Sequence, residues 1–529
     1  MRWSRYIAEI LCFCEKNNNG YHGSRRYSAG TESSTGFTPP AQNLGASNGD
    51  CVPPQPIITV NTVIYKNPHR LLRWGFLFVR LCGQLSLNGS VFDAVVGSDA
   101  SEKWRLSVAK NVLIVIEICY FFNLCSGASD VTSSSENTQG NTPLLFTPMT
   151  IGVLHMRNRI IASPMCQYLS VDGAPTDWHL MHLGRLAIGG CGVVFGEETA
   201  VEPAGRKTHA CAGLYSAGHV AAYRKLTDMI KSHGAVPAIQ LGHSGRKGSC
   251  HGAMEDWRPL TDVDAANGLP PWQIMTPTAA VSPPRPIPHK EMDQDDIKRV
   301  IDDFRTATKR SLDAGYDIVE IHGAHGYLIH QFLSDTSNHR NDHYGGSLEN
   351  RMRFAVEVAA AVRQTWPKDR PVFFRLSAVD GKGGSWTLGD SVALAAALRD
   401  VDIDMIDVSS GGIAGSSNMP MVPRIPAYQA SFAGRIRRQA KIGTVAVGGI
   451  TTARQAEDIL QAGDADMIAI ARELLWNADW PAHAAQSLGI DDPFSCLPVG
   501  YAHRLRQREE QKKMKINQDA ALISQNLGF

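Results

Sequence analysis

The stretch Glu320-Ile-His-Gly-Ala-His-Gly-Tyr-Leu-Ile-His-Gln-Phe-Leu-Ser334 gives the first clue to the architecture. An apolar run, Tyr316 to Ile321, leads into two histidines three residues apart, His322 and His325, and Tyr327 follows two residues later. Shortly downstream stands Asn338-His-Arg-Asn-Asp-His-Tyr-Gly-Gly-Ser-Leu-Glu-Asn-Arg351. A buried strand that ends in a polar cluster is what an α/β barrel presents at its carboxyl-terminal rim. The stretch therefore predicts the floor of a substrate pocket.

Working outward, the same rhythm recurs. Short apolar runs occupy residues 159–165, 192–196, 236–241, 317–322, 372–377, 405–409, 444–447 and 467–471. Amphipathic stretches separate them, for example 219–233, 293–314, 347–366 and 453–462. Eight β–α repeats predict a (β/α)8 TIM barrel over residues 141–492. A doubly wound sheet would need a G-x-G-x-x-G turn after its first strand. Gly189-Gly-Cys-Gly192 precedes a strand instead. Two insertions interrupt the rhythm. Residues 249–287 are rich in Pro and Trp and read as a loop over the barrel mouth, and 385–387 is a smaller one. Residues 493–529 form a tail, charge-rich and helical in pattern over 504–515, with a solvated face. Residues 1–140 show no sustained period and read as a disordered leader or an upstream extension.

Composition narrows the class further. The chain has 529 residues, a formal net charge of +1 and 43% hydrophobic residues. Near-neutral charge gives no reason to expect nucleic acid or an anionic membrane as partner. The most apolar segment, 112–125, is short for a bilayer span and carries Glu117 and Asn123. Eleven cysteines include no C-x-x-C pair, so zinc ribbons and cysteine-held iron–sulfur clusters lack their spacing. A reduced, cytoplasmic enzyme is the expectation; Arg2, Arg5, Arg25 and Arg26 offer a mitochondrial presequence as the weaker alternative.

The residues of chemical interest fall at strand ends. The first run ends in Ser163-Pro-Met-Cys-Gln-Tyr168 and the third in Gln240-Leu-Gly-His-Ser-Gly-Arg-Lys247. The fourth gives His322, His325 and Tyr327, and the fifth Arg375. The seventh and eighth give Gly448-Gly449 and Ala471-Arg472, where such barrels hold a phosphate. Together with His339-Arg-Asn-Asp-His-Tyr-Gly-Gly-Ser347 and Ala469-Ile-Ala-Arg-Glu-Leu474, these motifs resemble the old yellow enzyme family of FMN-dependent ene-reductases. The resemblance covers about residues 145–488. It is strongest to the subgroup with a first-strand cysteine, the xenobiotic reductases and their fungal relatives.

The resemblance implies an NADPH dehydrogenase, or ene-reductase, with FMN as cofactor and NADPH or NADH as reductant. The substrate would be a small activated alkene (enone, enal or nitroalkene), and a homo-oligomer is conceivable. By the same match, Gln240 and Arg375 face the pyrimidine edge of the flavin, where a cation favours the anionic reduced form. Ser163, Pro164, Met165 and Cys166 would line the flavin, and the Cys166 thiol would modulate its potential. Glu198, Gly448, Gly449, Ala471 and Arg472 complete the cofactor set. His322 and His325 would donate to the substrate oxygen, Tyr168 would steady the substrate, and Tyr327 would protonate the α-carbon.

Plainer readings stand beside these. A His-x-x-His pair alone is often structural or metal-binding, but no third metal-type ligand is evident nearby. Cys166 alone would be a small buried hydrophobe. His243 and Lys247 either brace their loop or meet the cofactor, and His179 and His182 carry no chemistry. Three departures from the family pattern are visible. Glu197-Glu198 stands where relatives often have a small residue, and Ala471 where many have Gly. The tail only loosely matches the one in which relatives place an arginine into a neighbouring subunit, with Arg504 as the candidate. A pathway-specific tailoring enzyme or isomerase, and a non-catalytic flavin-binding scaffold, remain the rival functions. A 2,4-dienoyl-CoA reductase would need a longer chain and more cysteines after residue 490.

Overall fold

The apolar runs become eight parallel strands closed on themselves. The computed structural model describes residues 94–95, 105–106, 142–279, 287–381, 384–413 and 424–527. The barrel strands, in chain order, are β1 (Ile160–Ala162), β2 (Val193–Ala200), β3 (Val236–Gly242), β4 (Ile318–Gly323), β5 (Val372–Ser377), β6 (Met405–Ser409), β7 (Gly443–Val447) and β8 (Met467–Ile470). Each pairs with its sequence neighbours, and β8 closes on β1. Closure removes every sheet edge and buries both faces of each strand, hence the near-continuous apolar runs.

Helices cover the outside: α1 (Asp177–Ile188), α2 (Val220–Ser232), α3 (Gln294–Asp313), α4 (Leu328–Leu333), α5 (Leu348–Thr365), α6 (Leu388–Arg399), α7 (Ala430–Ala440) and α8 (Ala453–Gln461). The expected helix 293–314 begins at its N-cap, Asp293, whose side chain accepts from Asp296 N. The expected 347–366 likewise includes its caps, Ser347 and Trp366. A short polar side chain before an apolar period satisfies the free N–H groups of the first turn, so it marks helix starts in sequence. The domain's first described turn, at Leu144–Phe146, is pinned to α8: Leu144 N and Leu145 N both donate to the Glu457 carboxylate at 2.9 Å.

The barrel interior is layered. Its lower part is filled by apolar side chains, among them Ile161, Phe195, Ile318, Phe373, Met405 and Met467. A hairpin of Met149–Ile151 and Leu154–Met156, absent from the sequence reading, closes that end, with Met156 buried in the same cluster. Above this layer the inward positions turn polar: Gln240 lies beside Glu320, His322 beside Arg375, and Arg375 beside Asp407. The site is thus built on strand register rather than on loops.

After the barrel come α9 (Arg472–Trp476), α10 (Trp480–Ser487) and α11 (Val499–Leu527). The described residues of α11 after Leu505 are largely exposed, as expected for the tail. Insertion 249–287 is not featureless: it holds a short helix, Asp262–Ala266, and a strand, Ile274–Thr276, paired with His289–Glu291. Among the described residues, no helix is long and apolar enough to cross a membrane. The leader at 1–140 lies outside the described residues, apart from an antiparallel pairing of Ala94–Val95 with Arg105–Leu106 in a separate unit.

Candidate active site

The fourth strand delivers the central groups. His322 is the fifth residue of β4 and points inward, buried, in register with Arg375. The chain then turns sharply. His325 adopts φ +58°, and its backbone N–H donates to Ser377 Oγ at 3.0 Å. Its carbonyl accepts from Lys247 Nζ. The turn packs on a glycine pair after β6: a Cβ at Gly412 would lie 2.4 Å from His325 Cα. A non-glycine residue held at positive φ is a strained position that surrounding contacts must maintain. Tyr327 caps α4 and is buried.

These three rings converge. The imidazoles of His322 and His325 lie 5.1 Å apart, and His322 meets Tyr327 edge-on at 4.8 Å. Burial, reinforced by Arg375, holds both histidines well below the usual pKa, so they are neutral. A neutral imidazole has one N–H and one acceptor nitrogen. His325 Nε2 faces Ser409 Oγ at 2.6 Å. His322 Nδ1 is buried without a partner among the described residues. Burial, with Glu198 next, pushes the Tyr327 hydroxyl far above the ordinary phenol value, so it is a proton-bearing donor at neutral pH.

Below them lies a charged layer. Gln240 Nε2 donates to Glu320 Oε1 at 2.7 Å. Arg375 donates to Ser163 Oγ at 3.2 Å and pairs with Asp407 at 3.5 Å. Burial raises both Glu320 and Asp407, and Arg375 opposes the shift in each. Several polar atoms here have no hydrogen-bond partner among the described residues: Arg375 Nε, Glu320 Oε2 and Asp407 Oδ1. An interior this polar is costly unless a polar group completes it.

Other expected residues fall around the same mouth. The loop after β1 is held from both sides, by Ser163 N donating to Ile470 O and by Gln167 N donating to Glu197 Oε2. Pro164, Met165 and Cys166 are half-buried on it. Burial and then Glu197 and Glu198 push the Cys166 thiol well up, so it is a thiol and not a thiolate. Tyr168 follows at φ +55°, edge-on to Trp257 at 5.3 Å. Gly448 and Gly449 take φ of +102° and +68° at the end of β7, a turn open to glycine alone at little cost. Ala471 has φ −113°, so a side chain is tolerated there. Arg472 is exposed at the start of α9.

β2 runs to Ala200, beyond the expected 196, through a bulge between Phe195 and Glu198. The bulge sets Glu198 opposite Gln240. Its carboxyl fills a notch at Gly242, where a Cβ would sit 2.2 Å from Oε1. Both oxygens are buried without a partner among the described residues. Burial, and next Glu197, raise its pKa to about 8. The side chain is therefore neutral at pH 7.

His243 pairs with Glu202 at 2.8 Å, and Lys247 serves the His325 turn. His179, on α1, pairs with Glu197 at 2.8 Å. Arg504 is exposed on α11 and hydrogen-bonds Gln507 at 3.3 Å. Glu320, Ser377, Asp407 and Ser409 were not singled out from sequence. Their signal was parity: each stands at an inward position, two residues from another inward polar group or in register with one.

A closed parallel barrel with neutral donors and a buried arginine at its carboxyl-terminal mouth is the layout of an α/β-barrel enzyme with its site at that mouth. Residues 144–490 match the family model described as the NADH:flavin oxidoreductase / NADH oxidase family, and the chain belongs to it. It is 42% identical over 349 residues to an NADPH dehydrogenase of Geobacillus sp. (strain WCH70), covering 65% of this chain and 95% of that protein. Its fold is similar to morphinone reductase (TM-score 0.55, 25% identity, 66% and 91% of the two chains). It is also similar to the old yellow enzyme homologue from Zymomonas mobilis (TM-score 0.54, 26% identity, 68% and 99%). The chain is an FMN-dependent oxidoreductase that uses NAD(P)H. The polar layer is compatible with such a cofactor: Arg375 Nε, Glu320 Oε2 and Asp407 Oδ1 are buried with no hydrogen-bond partner among the described residues.

Proposed function

We propose that the enzyme reduces the C=C bond of activated alkenes: enones, enals or nitroalkenes. The observation that carries this reading is the convergence of two neutral imidazoles and one protonated phenol on a single opening. His322 and His325 hold the carbonyl or nitro oxygen and withdraw electrons from the conjugated bond. One donor at a developing oxyanion contributes about 3 kcal/mol. Tyr327 gives its hydroxyl proton to the α-carbon, and Tyr168 steadies the substrate. Bound FMN, reduced by NAD(P)H, supplies the hydride to the β-carbon.

The cofactor would be held by the Ser163–Cys166 segment, Gln240, Arg375, the backbone at Glu198, Gly448, Gly449 and Ala471, with Arg472 at the phosphate. Arg375 is suited to the pyrimidine edge because its charge is only partly met by Asp407 at 3.5 Å. The test is an absorption spectrum of the purified protein, followed by anaerobic titration. A flavin spectrum that NADPH bleaches and cyclohexenone restores is expected. Substrate conversion without NADPH would favour an isomerase instead, and a bleached flavin that no enone restores would overturn alkene reduction.

A further inference from the structure

Beside the Tyr168–Trp257 pair stands a cation that the reaction above does not use. Lys207, on the loop after β2, is half-buried, and its Nζ lies 3.0 Å from the centre of the Trp257 ring. Trp257 in turn meets Tyr168. Lys207 O accepts from Cys250 N at 3.0 Å, so the same residue anchors the start of the insertion. Trp257 and Tyr168 both take positive φ, +57° and +55°, as if the aromatic wall were held in place by its contacts. An ammonium on an indole face keeps donors directed away from the ring. Among the described residues it makes no ion pair.

Three of the groups around it do not supply a counter-charge at neutral pH: Cys166 from the loop after β1, Glu198 from β2 and Cys211 from the loop after β2. Burial keeps Cys166 and Cys211 as thiols, the latter raised to about 12. Glu198 is a neutral acid below about pH 8. Glu197 spends its carboxylate on His179 and Gln167. Burial lowers the pKa of Lys207, and these neighbours oppose it. A half-buried cation with a protonated acid beside it is complementary to an anion.

We propose that Lys207 selects anionic alkenes: its ammonium receives the carboxylate of a substrate whose oxygen is held by His322 and His325. This rests on the alkene-reduction reading and names its substrate class, unsaturated keto acids or their like. Glu198 sets an upper pH limit. Above about pH 8 it ionises, and its charge competes with the substrate's carboxylate for Lys207.

The test compares 4-oxo-2-pentenoate with its methyl ester on the FMN-loaded enzyme, with 2-cyclohexenone as control. Calorimetry with the saturated products, 4-oxopentanoate and its ester, reads binding without turnover. At pH 7 the wild type is expected to favour the acid by about tenfold or more, as a charged hydrogen bond would give. Lys207→Met should erase that preference in both kcat/KM ratio and Kd ratio. In the wild type the preference should fall as pH rises through about 8, and Glu198→Gln should retain it. Wild type that binds ester as tightly as acid overturns the proposal, even if the Met variant fails to fold. So does a Met variant that keeps the preference. Failure to turn over cyclohexenone would instead overturn alkene reduction itself.

Discussion

Replacing Ser409 by Ala probes the site through a residue that touches no substrate in the proposed reaction. For His325 to donate to a substrate oxygen, its free nitrogen must carry the proton. Its Nε2 is engaged by Ser409 Oγ at 2.6 Å, so Nδ1 is the free one. In a neutral ring, Nδ1–H requires that Nε2 accept, and hence that the serine hydroxyl donate. Ser409→Ala removes that lock. The lower bound of the cost is one neutral hydrogen bond, about 1 kcal/mol or roughly fivefold in rate. The upper bound is loss of a whole oxyanion donor, about 3 kcal/mol or roughly a hundredfold. The assay is anaerobic stopped flow: pre-reduced enzyme is mixed with cyclohexenone and flavin reoxidation is followed. A five- to hundredfold slower reoxidation is expected, with FMN still bound and partial rescue by Ser409→Thr. A Ser409→Ala rate within twofold of wild type would refute the tautomer argument.

Removing the donors directly should cost more: His322→Ala is expected to slow reoxidation about 10²–10³-fold, and Tyr327→Phe about 10²–10⁴-fold, both in the same stopped-flow assay. Asp380 sits under the site and accepts from His330, Ser334 and the Ser385 and Trp386 N–H groups at 2.6–3.0 Å. Burial alone would raise its pKa, but the hydrogen bonds from His330 and Ser334 outweigh it and leave it lowered. Its contribution to stability is therefore full above about pH 4 and lost as pH falls through the lowered value, so Asp380→Asn should flatten the acid side of a Tm–pH profile. In the apolar layer, Phe373→Ala should cost about 3–5 kcal/mol in denaturant unfolding, since the closed barrel cannot collapse onto the void.

The barrel was legible because each strand is buried on both faces. Mostly apolar runs of five or six residues, such as 372–377 and 405–409, coincide with β5 and β6. The helices were legible because their caps are local chemistry, as Asp293 and Ser347 show. β2 was read four residues short because Glu197 and Glu198 look like an exit to solvent. What keeps them inside is remote in sequence: His179 for one, and the room left by Gly242 for the other.

By itself, the sequence determined the period of the strands, the helix caps and the identity of the donors at the strand ends, because these depend on neighbours within a few residues. Only the tertiary structure decided which donors meet. Register across β3 to β6 set Glu320 beside Gln240 and Asp407 beside Arg375, and the turn at His325 brought its ring to Ser409. The protonation of His322, His325 and Glu198 was likewise beyond local reading, because desolvation is a property of the closed barrel and not of any segment of its chain.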